Sequence, residues 1–142
     1  MYKFSEASQE NLEQCHPDIQ KVFNHVGQRI NIRILVGRRN EADQNKAFHE
    51  GRSKRMFPES MHNKTPSQAV DAAPYPIDFN NLNRFYYLAG YVIATADMMY
   101  EAGEISHKIR GGHDWDMDND ITDQTFMDLM HFELAKENDC VG

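Results

Sequence analysis

An aspartate inside a short apolar segment is the feature that most constrains the fold of this chain. Asp71 stands in the run Ala69-Val70-Asp71-Ala72-Ala73, which predicts a short strand that ends at Pro74. A carboxylate in a buried strand is costly unless it is paired or bound to a metal. The fold must therefore bring a partner to this strand from elsewhere in the chain.

Two further segments carry residues of complementary chemistry. One is Ser60-Met61-His62, and the other is Asp128-Leu129-Met130-His131-Phe132-Glu133-Leu134. Two imidazoles and the Asp71 carboxylate suit a catalytic zinc, because three protein ligands leave the fourth position open for water. Asp128 is then the general base for that water. Glu133 is a competing base, or it holds the orientation of His131.

These residues also have ordinary interpretations. The chain has seven histidines and no HExxH motif, so spacing alone favours surface or core histidines. Asp128 is then an exposed carboxylate, Ser60 is a loop hydroxyl, and Arg39 pairs with Glu41 or Asp43 or caps a helix. The apolar neighbours of Asp71 favour the metal hypothesis.

Helical and strand patterns alternate along the chain. Apolar spacing and capping residues predict helices that begin at Ser8 and Pro17 and others over residues 40–50 and 81–102. A further short helix is predicted from Thr122 to residue 129 or 130, with Asp128 in its last turn. Strands are predicted over residues 30–36, 69–73, 105–110 and 131–134. The mixture predicts an α+β fold in which helices flank a small, mostly antiparallel sheet.

Composition limits the classes of partner. The 142 residues fit one domain over 1–142, with no linker to a separate cell-wall-binding module. The net charge of −7 argues against nucleic acid. No apolar run reaches the length of a membrane span, and the N-terminus lacks a signal-peptide pattern. Cys15 and Cys140 form no CxxC pair and are expected to be free thiols.

An acidic stretch before the last motif has alternating aspartates. Asp114, Asp116, Asp118 and Asp120 follow the spacing of oxygen ligands in a calcium loop. The glycine and the bidentate glutamate of such a loop are replaced, since Asn119 and Thr125 stand at those positions. A solvated acidic loop is the favoured interpretation, with a weak calcium site as the alternative.

Taken together, the motifs resemble a known family. Ser60-x-His62 … Ala69-Val70-Asp71 and Asp128-x-x-His131-Phe132-Glu133-Leu134 are similar to the signature motifs of the phage L-alanyl-D-glutamate peptidases. These zinc endolysins are related to the D-alanyl-D-alanine carboxypeptidases and dipeptidases. The resemblance runs over residues 33–134 and includes three further segments, which are Gly37-Arg38-Arg39-Asn40-Glu41-Ala42-Asp43-Gln44, Gly51-Arg52-Ser53-Lys54 and Ile109-Arg110-Gly111-Gly112 … Asp114-Trp115-Asp116.

The resemblance assigns roles by position. It implies that His62, Asp71 and His131 bind zinc and that Asp128 is the catalytic carboxylate. Arg39 matches an arginine associated with substrate or transition-state charge. Ser60 and Gln44 match supporting positions. The chain departs from the family in a longer loop between the first two ligands, in His113 within the Gly-Gly-Asp-Trp segment, and in Met130 where a proline is usual.

The resemblance also implies a function. The expected activity is hydrolysis of the L-alanyl-D-glutamate bond of peptidoglycan stem peptides during lysis of a bacterial host. A D,D-carboxypeptidase or dipeptidase on the same scaffold is one alternative. A non-catalytic zinc-bearing binding module is another, because the hedgehog signalling domain resembles this fold and fold alone does not fix function. The enzyme is expected to be a monomer, made in the host cytoplasm and released to the periplasmic wall by a holin.

Overall fold

Four helices and four strands make up the part of the chain that the structure describes. A computed structural model describes residues 1–124 and 126–136, so the predicted free thiol Cys140 lies outside it. The helices are α1 (Glu6–Glu13), α2 (Pro17–Arg29), α3 (Glu41–His49) and α4 (Leu82–Glu101), with a short 3-10 helix at Met61–Asn63. The strands are β1 (Ile32–Val36), β2 (Ala69–Pro74), β3 (Ile109–Gly112) and β4 (Asp128–Leu134).

The two N-terminal helices begin at residues that satisfy their free backbone donors. Pro17 opens α2 as predicted, and the His16 ring caps that helix by accepting from Asp18 N at 3.0 Å. The predicted start of α1 at Ser8 is wrong, because Ser5 caps the helix. Ser8 is buried instead, and its Oγ accepts from Ile34 N at 3.0 Å, which joins α1 to β1.

The strands form one sheet in the order β1-β2-β4-β3. All three strand pairs are antiparallel, so the predicted α+β class with a mostly antiparallel sheet is confirmed. In this register Asp71 of β2 lies opposite His131 of β4. The sheet therefore brings together two predicted metal ligands that are 60 residues apart.

The two faces of the sheet have different chemistry because side chains alternate along each strand. One face packs against α2 and α4 and forms the core, with Val70, Ala72, Phe132 and Leu134 among its members. The intervening residues of β2 and β4, which include Asp71 and His131, point to the opposite face. The site residues are thus placed on a rigid support.

The segment between β3 and β4 corrects one prediction. Its described residues form turns and bends, and none of them is helical. Thr122 donates to Asp120 in a local turn, and Trp115 Nε1 donates to Phe126 O at 2.6 Å. Aspartates favour such turns because their side chains compete for backbone donors. Asp128 is consequently the first residue of β4, not the last turn of a helix.

Candidate metal centre

Three candidate ligand residues converge at one point on the face of the sheet opposite the core. His62 comes from the 3-10 helix, Asp71 from β2 and His131 from β4, and all three are buried. Asp71 Oδ1 lies 3.2 Å from His62 Nε2 and 3.3 Å from His131 Nδ1. Each residue thus offers one ligand atom within 4.8 Å of the other two.

The remaining polar atoms of these side chains already have partners. His62 Nδ1 donates to Gly37 O at 2.8 Å, and His131 Nε2 lies 2.7 Å from Glu133 Oε1. These contacts leave one nitrogen of each ring facing Asp71 Oδ1. Tetrahedral zinc separates its ligand atoms by roughly 3.3 Å, given metal–ligand distances of about 2.0–2.2 Å. The residues therefore fit a zinc ion with three protein ligands.

The charges in the centre depend on one another. Burial alone would raise the pKa of Asp71, but hydrogen bonds from His131 and His62 outweigh it and hold that pKa far below its usual range. Burial would lower the pKa of His131, but the carboxylates of Asp71 and Glu133 raise it to about 9. A buried cation is thus favoured at this point, and a metal ion would replace the proton because its ligands must be deprotonated.

Glu133 lies behind His131 rather than among the converging ligand atoms. Its Oε1 contacts His131 Nε2, and its Oε2 accepts from Arg110 Nη2 at 2.9 Å. A carboxylate on the outer nitrogen of a metal-binding histidine fixes the ring orientation and raises its basicity. This placement favours the orienting role over that of a competing base.

Arg39 borders the centre from the loop before α3. Its Nη2 lies 3.5 Å from Asp71 Oδ2, and its Nη1 donates to Gln44 Oε1 at 3.0 Å. Gln44 is fully buried and donates in turn to Arg55 O at 2.6 Å. Asn40 caps α3, so Arg39 does not have that role. The guanidinium is therefore held in place beside the ligand carboxylate.

Ser60 supports the first ligand through the backbone. Its Oγ accepts from His62 N at 3.2 Å, while its own N donates to Asn63 Oδ1 at 3.0 Å. Asn63 also donates to Arg39 O at 3.0 Å and so joins the two segments. Asn63 was not predicted as part of the site, although Ser-x-x-Asn has the spacing of a capping box. The carbonyl of Gly37 was not predicted either, because no side-chain pattern reveals it.

Comparison with known proteins identifies the family. The model of the family described as phage L-alanyl-D-glutamate peptidase matches residues 1–135. The chain belongs to this family. Its fold is similar to the crystal structure of Serratia marcescens L-Ala D-Glu endopeptidase ChiX, with a TM-score of 0.71, 23% identity, and coverage of 94% of this chain and 90% of that one. No curated protein matches significantly.

Membership of the phage L-alanyl-D-glutamate peptidase family supports a hydrolase that acts on peptidoglycan. Asp128, which corresponds to the carboxylate of the family motif, lies at the start of β4 and is partly buried. Burial and the negative charge of Asp71 raise its pKa, while His131 and His62 act in the opposite direction. Asp128 is thus close enough to His62, Asp71 and His131 for their charges to affect its pKa.

The acidic stretch forms a second group of oxygen atoms in this family member. Asp114, Asp116, Asp118 and Asp123 each offer one oxygen within 4.8 Å of the others. Asp120 lies outside this group, and its Oδ1 accepts from Thr122. Asp114 is only 7% exposed, and its Oδ1 has no hydrogen-bond partner among the described residues. Burial and the neighbouring carboxylates raise the pKa of Asp114 to about 6.

Proposed function

We propose that this chain is a zinc-dependent murein endopeptidase that hydrolyses the L-alanyl-D-glutamate bond of peptidoglycan stem peptides during host lysis. Family membership supports the substrate class. The observation that carries the zinc mechanism is the convergence of His62 Nε2, Asp71 Oδ1 and His131 Nδ1. Their other polar atoms contact the rest of the protein, so these three atoms are directed at one point, where a single metal ion would bind all of them.

The chemistry follows from the residues around that point. Zinc held there supplies a Lewis acid that activates water and polarises the amide carbonyl. Asp128 accepts the proton of the attacking water and later returns it to the leaving amine. Its raised pKa suits both steps, because a stronger base accepts the first proton more readily. Water adds across the C–N bond and leaves a carboxylic acid and a free amine, and at neutral pH the acid proton passes to the amine, which gives a carboxylate and an ammonium group.

Arg39 stabilises the charge that develops on the carbonyl oxygen. Gln44 holds one side of the guanidinium, and the other side faces Asp71 Oδ2 at 3.5 Å. A single well-placed donor to such an oxyanion typically lowers the barrier by about 3 kcal/mol. Because Gln44 is itself fixed by Arg55 O, the donor needs little rearrangement during the reaction.

Two other functions remain as outcomes of the test. A D,D-carboxypeptidase or dipeptidase would use the same centre on a different bond. A zinc-bearing binding module would retain the ligands without catalysis. A partly buried carboxylate at Asp128, beside the three ligands, favours catalysis over simple binding. The endopeptidase and the carboxypeptidase share this centre and differ in which peptide bond they cleave.

Digestion of purified peptidoglycan tests the proposed reaction. We expect mass spectrometry to find new N-terminal D-glutamate. Release of D-alanine alone would support the carboxypeptidase, and intact stem peptides with zinc-loaded protein would support the binding module. Asp128→Ala should abolish cleavage while zinc content stays near one per chain. Glu10→Ala, which removes an exposed carboxylate on α1, is the control and should retain full activity.

We also propose that the acidic loop binds calcium weakly. Support comes from the buried Asp114 Oδ1, which lacks a partner in the described part of the chain and belongs to a group of four carboxylates. Millimolar calcium should raise the melting temperature of the wild type and of Asp120→Asn, but not of Asp114→Asn. No change in the wild type would remove this proposal.

The cellular route is a further part of the proposal. We expect a monomer that is made in the host cytoplasm and reaches the periplasmic wall through a holin. Among the described helices, none has the length and apolarity that a membrane crossing requires. Expression in bacteria with and without a holin tests this route: we expect lysis only with the holin, and equal lysis in both cultures would contradict it.

A further inference from the structure

A basic cleft adjoins the metal centre at Arg39, and the proposed reaction uses no other side chain of its wall. It encloses about 340 Å³ between β1, the following loop and α3. Its wall carries four cationic side chains, Arg38, Arg39, Lys46 and Arg52, against one carboxylate, Asp43. This composition is unusual for a chain with a net charge of −7. Residues 38–64 hold seven lysines and arginines but only four acidic residues.

Two of the four cations already face carboxylates. Arg39 lies beside Asp71, and Arg52 Nη2 lies 2.8 Å from Glu50 Oε1. Arg38 differs, since its Nε donates to the neutral Thr65 Oγ1 at 2.9 Å.

Lys46 is exposed on α3. Within residues 1–124 and 126–136, no ion pair is found for the Lys46 ammonium or for the Arg38 guanidinium. Arg38 and Lys46 therefore leave the cleft with positive charge that an anionic ligand would neutralise.

The cleft and the metal centre share residues of the loop that follows β1. Gly37 lines the cleft, and its carbonyl oxygen accepts from the His62 ring at 2.8 Å. Arg39 belongs both to the wall of the cleft and to the surroundings of Asp71. A substrate group that binds in the cleft would therefore lie near Arg39, on the side of the cleft that adjoins Asp71.

We propose that Arg38 and Lys46 form a subsite for the α-carboxylate of the D-glutamate residue on the leaving-group side of the bond. This inference rests on the proposed endopeptidase function. In the stem peptide this residue continues through its side-chain carboxyl, so its α-carboxylate stays free on the carbon that bears the leaving nitrogen. Cationic donors that bind a carboxylate at this point select the acidic residue after the cleaved bond.

Two synthetic stem peptides that differ in one group test the subsite. One carries the free α-carboxylate of D-glutamate, and the other carries the α-amide. We expect the zinc-loaded wild type to cleave the carboxylate peptide with kcat/KM about tenfold higher, the effect of one charge-assisted contact in a solvated cleft. Lys46→Gln and Arg38→Gln should each lower this ratio toward one, mainly through KM.

A matched variant distinguishes an effect of the subsite from a general effect of the net charge of the protein. Lys3→Gln makes the same charge change at an exposed residue of the N-terminal segment and should keep the wild-type ratio. Equal cleavage of both peptides by the wild type, or an unchanged ratio in both cleft variants, would overturn the subsite and leave the endopeptidase function intact. Failure of the wild type to cleave either peptide would overturn the proposed function and the subsite together.

Discussion

The described part of the chain contains two groups of two histidines and one aspartate, and they differ in which lone pairs remain free. In the group of His62, Asp71 and His131, other protein atoms contact the outer ring nitrogens, His62 Nδ1 and His131 Nε2. The remaining ring nitrogens and Asp71 Oδ1 face one another. The second group, His16, Asp18 and His107, also brings three candidate ligand atoms within 4.8 Å of one another. Residue types and proximity are thus the same, but His16 and His107 are partly exposed where the first group is buried, and the hydrogen bonding differs.

In the second group, backbone and side-chain donors occupy the atoms that a metal would need. Asp18 Oδ2 accepts from the backbone N and Oγ of Ser106 and from the backbone N and Nδ1 of His107, at 2.8–3.1 Å. His16 Nδ1 accepts from Asp18 N. This group is a clamp that fastens the loop after α4 to the start of α2. A metal site therefore needs free, convergent lone pairs as well as suitable residues.

Loss of one histidine from each group should give the largest contrast. His131→Ala should reduce zinc from about one per chain to none, and cleavage should fall about a thousandfold, since the metal supplies several kcal/mol of transition-state stabilisation. His107→Ala should retain both zinc and cleavage. Elemental analysis after dialysis and a peptidoglycan assay measure the two quantities. Equal zinc loss in both variants would show that the groups do not differ.

Glu133→Gln should weaken zinc binding without removing it. The amide no longer supplies a negative charge to His131 Nε2, so we expect about 10- to 100-fold lower affinity, as for other residues behind a metal ligand. Competition with a chromophoric chelator measures this change. Ser106→Ala, which removes a hydroxyl from the clamp, is the control and should bind zinc with wild-type affinity. Unchanged affinity in Glu133→Gln would contradict the orienting role.

Asp18→Asn should destabilise the fold by about 2 kcal/mol at neutral pH, because it weakens several hydrogen bonds to a charged group. Burial by itself would raise the pKa of Asp18, but hydrogen bonds from His107 and Ser106 outweigh it and hold the pKa below its usual range.

A carboxyl group with a lowered pKa stabilises the fold above its unfolded pKa of about 4 and loses this contribution as pH falls through the folded value. The difference in unfolding free energy between wild type and Asp18→Asn should therefore be largest at pH 7 and decrease below about pH 4. Urea denaturation at several pH values measures it. A difference that grows toward acid pH would contradict the proposed stabilisation by the Asp18 carboxylate.

The smallest effect is expected at the cap of α2. His16→Ala removes the ring nitrogen that accepts from Asp18 N, and loss of such a cap typically costs about 1 kcal/mol. His16→Asn keeps a capping acceptor and should restore most of the stability, as measured by thermal unfolding. Zinc content should be the same in both variants. If asparagine destabilised as much as alanine, capping would not be the role of His16.

The fold was largely readable from the sequence because its signals are local. Pro17 at the first turn of α2, and the alternation that became β1, required no knowledge of distant residues. The segment after Thr122 was misread as a helix. Its conformation depends on contacts of Trp115 with Gln124 and Phe126, which a pattern of single residues does not contain.

The candidate site was readable only in part. Residue types and family resemblance predicted His62, Asp71 and His131 as ligands, with Asp128 and Arg39 beside them, and the structure brings the first three together. Glu133 was also predicted as a partner of His131. The Gly37 carbonyl and the Asn63 amide could not be predicted, because they reach the site through backbone geometry. The same limit explains why sequence alone did not separate the two groups of histidine and aspartate. Their difference lies in hydrogen bonds that form only after folding.

The most direct test is anomalous diffraction at the zinc edge from crystals of the zinc-loaded protein. We expect one strong peak about 2.0–2.2 Å from His62 Nε2, Asp71 Oδ1 and His131 Nδ1. We expect no peak between His16, Asp18 and His107. A peak in the second group, or the absence of one in the first, would contradict the claim that free convergent lone pairs define the metal centre.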